Sequence, residues 1–200
     1  MPLILLNKPF EVLSQFADAG GRTTLKRYVK QRRVYPAGRL DYDSEGLLLL
    51  TDDGTLQARI SQPGSKLAKV YHAQVEGTAN ARHLASLLEG VRLKDGEAAA
   101  VQARVIDQPA ELWPRDPPIR ERRSIPVSWI EIAITSGRNR QVRRMTAAVG
   151  LPTLRLIRVR VGPFALEGLR PGESRKLSDQ EAWRRLDRWE RSPGREWDNR

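Results

Sequence analysis

An α+β fold, a mainly antiparallel mixed sheet flanked by helices, is what this sequence predicts. Three observations carry the prediction. Short apolar or period-two runs recur from the first residues to about residue 165. Helical spacings fall between them without a regular βαβ alternation. Apolar residues make up 40% of 200 positions, enough to bury a core of that kind.

The elements follow in order. "LILLNK" (Leu3–Lys8) is apolar, stops at Pro9 and reads as a buried strand. "EVLSQF" is a second extended piece, and Ala19–Arg22 is a turn. Thr23–Gln31 suits a short helix capped by Thr23 or Thr24. "VYPAG" is at most a short strand because Pro36 interrupts it. A strand over Leu47–Thr51 and a helix over Leu56–Ser61 come next. Ala68–Gly77 alternates with Val and Tyr and is a strand. Leu84, Leu87 and Leu88 share a helical face that ends at Gly90. Strands follow at Ala100–Asp107 and Ser128–Thr135. Four prolines keep Leu112–Pro126 irregular, and Arg115, Arg120, Arg122 and Arg123 make it basic: a solvated loop or a nucleic-acid contact arm. Arg138–Gly150 is a helix with Val142, Met145 and Val149 inward and Arg140, Arg143 and Arg144 on the other side. "LPTLRLIRVRVGPF" is a strand with a cationic edge or face carrying Arg155, Arg158 and Arg160. Ser178–Glu190 opens with a Ser-x-x-Glu capping box and is helical. Residues 191–200 read as a loose tail.

The charge balance narrows the partners. Lys and Arg number 35 against 24 Asp and Glu, a net +11 that favours polyanions, above all nucleic acid. The absence of cysteine excludes disulfides and thiolate metal sites. No run approaches the ~20 apolar residues of a membrane span, and the start lacks the pattern of a secretory leader. A soluble, cytoplasmic protein with no membrane partner is expected.

Against this basic background, "GRLDYDSEGLLLLTDDG" (Gly38–Gly54) gathers five carboxylates around four leucines. Asp41, Asp43, Glu45, Gly46 and Asp52 match positions 1, 3, 5, 6 and 12 of a calcium loop, but no flanking helix is possible at "VYPAGR" and position 12 is not Glu. A polar turn feeding a buried strand explains the composition equally simply, and on spacing alone it is the stronger reading. A third reading makes one carboxylate a nucleophile, held ionised by Arg39 and other cations.

The stretch resembles the signature of the small-ribosomal-subunit type of pseudouridine synthases, G-R-L-D-x-x-[ST]-x-G-L-[LI]. "NKPFEVLSQF" resembles that family's N-K-P segment, and "SGRNRQVRRM" followed by "LRLIRVRVGPF" resembles its G-R-x-x-Q-[IV]-R segment. The likeness runs from about Leu3 to Leu177. It implies one catalytic domain over residues 1–190, with two sub-lobes around a central cleft. The chain starts at the catalytic segment, so the S4 RNA-binding module of many relatives is not expected.

The resemblance also implies roles. Asp41 is the nucleophile that detaches uracil from ribose and lets it rejoin through C5. No cofactor and no metal are implied. Tyr71, in "KVY", stacks on the flipped base and assists proton loss from C5; by pattern alone it is a core tyrosine. Arg143 pairs with the catalytic Asp, although spacing cannot choose it over Arg140 or Arg144. Leu156 lines the pocket. Arg39, Lys69, Arg138, Arg140, Arg144 and Arg158 are the remaining candidate substrate contacts. The expected partner is RNA, specifically 23S rRNA, free or within a pre-ribosomal particle, bound by a monomer; DNA is not expected. The competing readings are a non-catalytic basic RNA-binding or ribosome-assembly protein and a metal-dependent nuclease.

Overall fold

The computed structural model describes residues 2–62, 65, 67–119 and 124–191. Arg120, Arg122 and Arg123 of the basic loop, and all but the first residue of the predicted tail, lie outside the described residues.

Among the described residues, nine strands form one mixed sheet. Its strands are β1 (Leu3–Lys8), β2 (Tyr35–Pro36), β3 (Glu45–Thr51), β4 (Lys69–Glu76), β7 (Gln102–Ile106), β8 (Val127–Ile134), β9 (Thr153–Val161), β10 (Phe164–Ala165) and β11 (Ser174–Leu177). The spatial order is β11-β1-β3-β9-β4-β8-β7, with β2 on β3 and β10 on β9. Every pairing is antiparallel except β3 with β9, where Glu45 and Gly46 lie opposite Ile157 and Arg158. That agrees with the α+β prediction. A separate hairpin, β5 (Val91–Leu93) and β6 (Gly96–Ala98), was not legible in the sequence. Helices α1 (Gly54–Ser61), α2 (Ala81–Glu89), α3 (Gln141–Ala148) and α4 (Asp179–Arg191) flank the sheet. None of the described helices is long and apolar enough to cross a membrane.

The central strands β1 and β3 are buried on both faces. One apolar cluster joins Ile4, Leu6, Leu48 and Leu50 to Tyr71, Leu156 and the α3 residues Val142 and Met145. Another joins Leu3, Leu5, Leu47 and Leu49 to Ile157, Phe164 and the α4 residues Leu186 and Trp189. Period two therefore sends successive leucines of β1 and β3 into different cores.

Local chemistry explains the helix starts. Asp53 caps α1, accepting from the Thr55 and Leu56 amides. Asn80 and His83 form a capping box at α2. The Glu181 amide donates to Ser178 Oγ at the start of α4. Leu87 of α2 is buried, but Leu88 is exposed, which narrows the predicted apolar face.

Three expectations are corrected. Thr23–Gln31 is not a helix; only a 3-10 turn forms at Leu25–Arg27. Its backbone is instead drawn toward the preceding extended segment, where Leu13 bridges Thr24 and the Leu25 amide donates to Gln15. α3 begins at Gln141, not Arg138, because Arg140 has a left-handed backbone, φ 47° and ψ 33°. β9 has no cationic edge at Arg155 and Arg158: both are 3% exposed, inside the sheet.

The parallel contact needs Gly46. Its φ is +100°, and a Cβ there would sit 2.3 Å from the Arg158 carbonyl oxygen. Gly46→Ala is expected to cost about 3 kcal/mol, by combining backbone strain with overpacking. Urea unfolding measures it, and a loss below about 1 kcal/mol would contradict this account.

Candidate active site

The turn that carries Asp41 is pinned from four directions. The Leu40 amide donates to Ser14 Oγ at 3.0 Å, and that hydroxyl donates to the Leu40 carbonyl at 2.8 Å. The Ser44 amide closes the turn onto the Asp41 carbonyl. Buried Arg158 donates to the Arg39 carbonyl on one side and to the Leu47 carbonyl on the other. Arg143 of α3 donates to the Asp43 carbonyl at 2.7 Å. Asp41 itself keeps 29% of its side chain exposed. A carboxylate on a rigid turn, open to solvent at its tip, is what an attacking group requires.

Three other carboxylates of the stretch have different fates. Asp43 takes both Arg140 terminal nitrogens, at 2.7 and 2.9 Å, and lies 3.5 Å from Arg143. Burial opposes its ionisation, but the Arg140 hydrogen bond and the charges of Arg143 and Arg140 hold it below the usual carboxylate range. Glu45 is buried in a bidentate pair with Arg155. Asp53 caps α1. Among the described residues, no three His, Cys, Asp or Glu side chains converge as a metal-ligating set.

Arg140 and Arg143 approach the loop differently than the pattern suggested. Arg140 Nη1 is the cation at 3.9 Å from Asp41, whereas Arg143 holds Asp43 and the Thr153 carbonyl. The left-handed turn at Arg140 lifts its side chain off the helix toward the acidic loop. Gln141 secures that turn: its Oε1 accepts from the Arg138 amide and its Nε2 bonds Ser136. Buried Arg143 Nε has no partner among the described residues.

The other predicted contacts divide. Tyr71 and Leu156 lie in the same apolar cluster as Leu40, the neighbour of Asp41, and as Val142 and Met145 of α3. Arg39 is exposed next to the turn. Lys69 donates to the Leu67 and Thr135 carbonyls; burial, with the nearby Arg158 charge, lowers its pKa to about 8. Arg138 and Arg144 both hold Asp95, on the β5–β6 turn. Arg158 is buried within the sheet and serves the loop backbone.

Two site residues were missed. Ser14 had no spacing signal. Lys8 belongs to the N-K-P segment but carried no assigned role; it is fully buried and donates to the Pro9 and Val12 carbonyls. Burial drives its pKa to about 7 against the opposing charges of Glu45 and Asp43.

A cavity of about 390 Å³ opens beside Asp43, with Phe10, Arg115, Arg140 and Arg143 in its wall. A larger one, about 880 Å³, is lined by Val70, His72, Ile157 and Val159, on the sheet face opposite Tyr71 and Leu156.

The sheet thus brings the Asp41 turn and two arginines, Arg140 and Arg143, together on a chain of net charge +11, an arrangement suited to a polyanionic substrate such as RNA. The sequence profile described as RNA pseudouridylate synthase matches residues 2–148, and the chain belongs to that family. It is thus an isomerase acting on RNA.

Particular relatives sharpen this. The chain is 55% identical over 171 residues to the ribosomal large subunit pseudouridine synthase E of Xanthomonas axonopodis pv. citri, covering 84% of this chain and 90% of that one. It is 51% identical to the protein of the same name from Vibrio vulnificus, covering 88% and 75%. A crystal structure titled as a pseudouridylate synthase superimposes with a TM-score of 0.74 at 27% identity, over 93% of this chain and 74% of that one.

Proposed function

We propose that this chain isomerises a uridine of 23S rRNA to pseudouridine, with Asp41 as the nucleophile. One observation carries the site assignment: the G-R-L-D turn is locked by Ser14, Arg158 and Arg143 while the Asp41 carboxylate stays open. The likeness to proteins named for the large ribosomal subunit supports the substrate. The reaction breaks the bond from N1 to C1′ and forms one from C5 to C1′. The proton lost from C5 is balanced by one gained at N1, so nothing is oxidised and no group leaves.

Each residue has a defined task. Asp41 attacks and later departs. Tyr71 presents its ring to the flipped base, with Leu156 completing the apolar wall. Arg140 sets a positive charge 3.9 Å from the Asp41 carboxylate. Arg143 and Arg158 fix the turn. The uridine leaves its stack to reach Asp41, at a cost of about a few kcal/mol. Contacts from the basic surface to phosphates offset that cost, so binding weakens with salt.

The test is tritium release from transcribed 23S and 16S rRNA labelled with 5-³H-uridine, in EDTA. Release from 23S alone, with one reverse-transcription stop after carbodiimide treatment, is the expected result. Release from 16S alone, or none from 23S whether naked or in large-subunit particles, overturns the reading. Arg143→Ala is expected to lower the single-turnover rate about 10²-fold, since a displacement of about 1 Å at a catalytic group costs that much. An unchanged rate would remove Arg143 from the positioning set.

A further inference from the structure

The cavity beside Asp43 is separate from the place assigned to the target base. Among the described residues its wall includes neither Asp41, Tyr71 nor Leu156. At about 390 Å³ it falls within the range of small-ligand sites, about 300–1,000 Å³. Its charges are three guanidinium groups, Arg115, Arg140 and Arg143, against the carboxylates of Asp43 and Glu76.

Its wall also holds a ready stacking platform. The Arg115 guanidinium carbon stands 4.3 Å from the centroid of the Phe10 ring. Arg115 is not a wandering side chain: Nε donates to the Pro117 carbonyl and Nη2 to the Pro118 carbonyl. Two residues earlier, the Trp113 indole donates to buried Glu45 at 2.7 Å, and Arg155 donates to the Trp113 carbonyl at 3.0 Å. The proline-rich segment is therefore anchored in the core and delivers Arg115 to Phe10. A planar ring under a planar cation, with two further arginines across the cavity, fits a nucleobase and its phosphate.

We propose that this cavity is the subsite for the nucleotide adjacent to the target uridine, with its base stacked on the Phe10–Arg115 platform. The proposal rests on the synthase reading. Asp43 joins the two places, since it lines the cavity and lies two residues from Asp41. Occupying the subsite holds the RNA backbone bent at the point where the uridine turns toward Asp41. Phe10 and Arg115 are substrate-binding residues, and Trp113 is a positioning residue.

The experiment uses 23S rRNA rebuilt by splinted ligation, with an abasic nucleotide placed 5′ or 3′ of the mapped uridine. With the native enzyme, one of the two abasic RNAs is expected to lose about tenfold in kcat/KM, the scale of one base–aromatic stack. Phe10→Ala and Arg115→Ala are expected to lose about as much on intact RNA, and to lose nothing further on that abasic RNA. Phe10→Trp restores the rate on intact RNA. Equal rates of the native enzyme on intact and both abasic RNAs overturn the subsite. So does a Phe10→Ala defect of the same size on intact and abasic RNA, which would mark Phe10 as structural. Failure of the native enzyme on intact rRNA would instead overturn the synthase reading, and the subsite with it.

Discussion

Asp41→Asn is expected to release no tritium from 23S rRNA, a fall of about 10⁴-fold or more, as for the loss of a nucleophile. The substitution keeps the size and shape of the side chain. It removes the charge and the nucleophilic oxygen, and turns one acceptor into a donor. The backbone bonds that pin the turn come from Leu40, Ser44 and the Arg39, Asp43 and Leu47 carbonyls, so the turn survives the change. RNA binding should persist, because the arginines remain. Filter binding that matches the native enzyme, with no release, is the expected pair of results. Residual release within tenfold of native would rule Asp41 out as the nucleophile. Abolished binding would show instead that Asp41 is part of the RNA-binding surface.

The second large effect lies in stability. Glu45→Gln is expected to cost about 3–5 kcal/mol, the penalty for stripping one partner from a buried ion pair. Arg155 reaches both Glu45 oxygens at 2.8 Å, and each side chain is nearly inaccessible to water. The pair sits where β3 and β9 meet in parallel for only two residues, so few ladder bonds are available to hold the junction. It also carries Trp113 and with it the proline-rich segment. Replacing both members with leucine should cost less than the single change, because no orphaned charge remains. Urea unfolding of the single and double variants decides it: a single-variant loss below about 1 kcal/mol would mean that water reaches the pair.

Much of the fold was legible because its signals are local. β4 and β8 announced themselves by alternation, α2 by its leucine spacing and the Gly90 stop, and α4 by a capping box and spacing. Thr23–Gln31 misled because helix propensity there yields to pairing with an extended segment about ten residues earlier. β5, β6 and β11 are only three or four residues long, too short for a periodic pattern to show. Arg155 and Arg158 looked like an exposed edge because the sequence does not display Glu45, 110 positions away, or the carbonyls that Arg158 serves. In the site, the G-R-L-D resemblance singled out Asp41, where composition and spacing favoured a plain turn. That Arg140 reaches Asp41 while Arg143 holds Asp43 goes with one left-handed residue, and no periodicity encodes that.

The pairing of β3 with β9 has a kinetic consequence. The turn bearing Asp41 is held by α3 and β9, a hundred or more residues downstream, and β1 completes its neighbours only when β11 arrives. Contacts this distant in sequence place the chain among slow folders, on the scale of milliseconds to seconds, since long loops must close before they are rewarded. On the ribosome, a nascent chain that has exposed only its first half presents Asp41 on a turn that still lacks its Arg143 and Arg158 anchors. Catalytic competence therefore comes late, after synthesis of this domain is nearly complete.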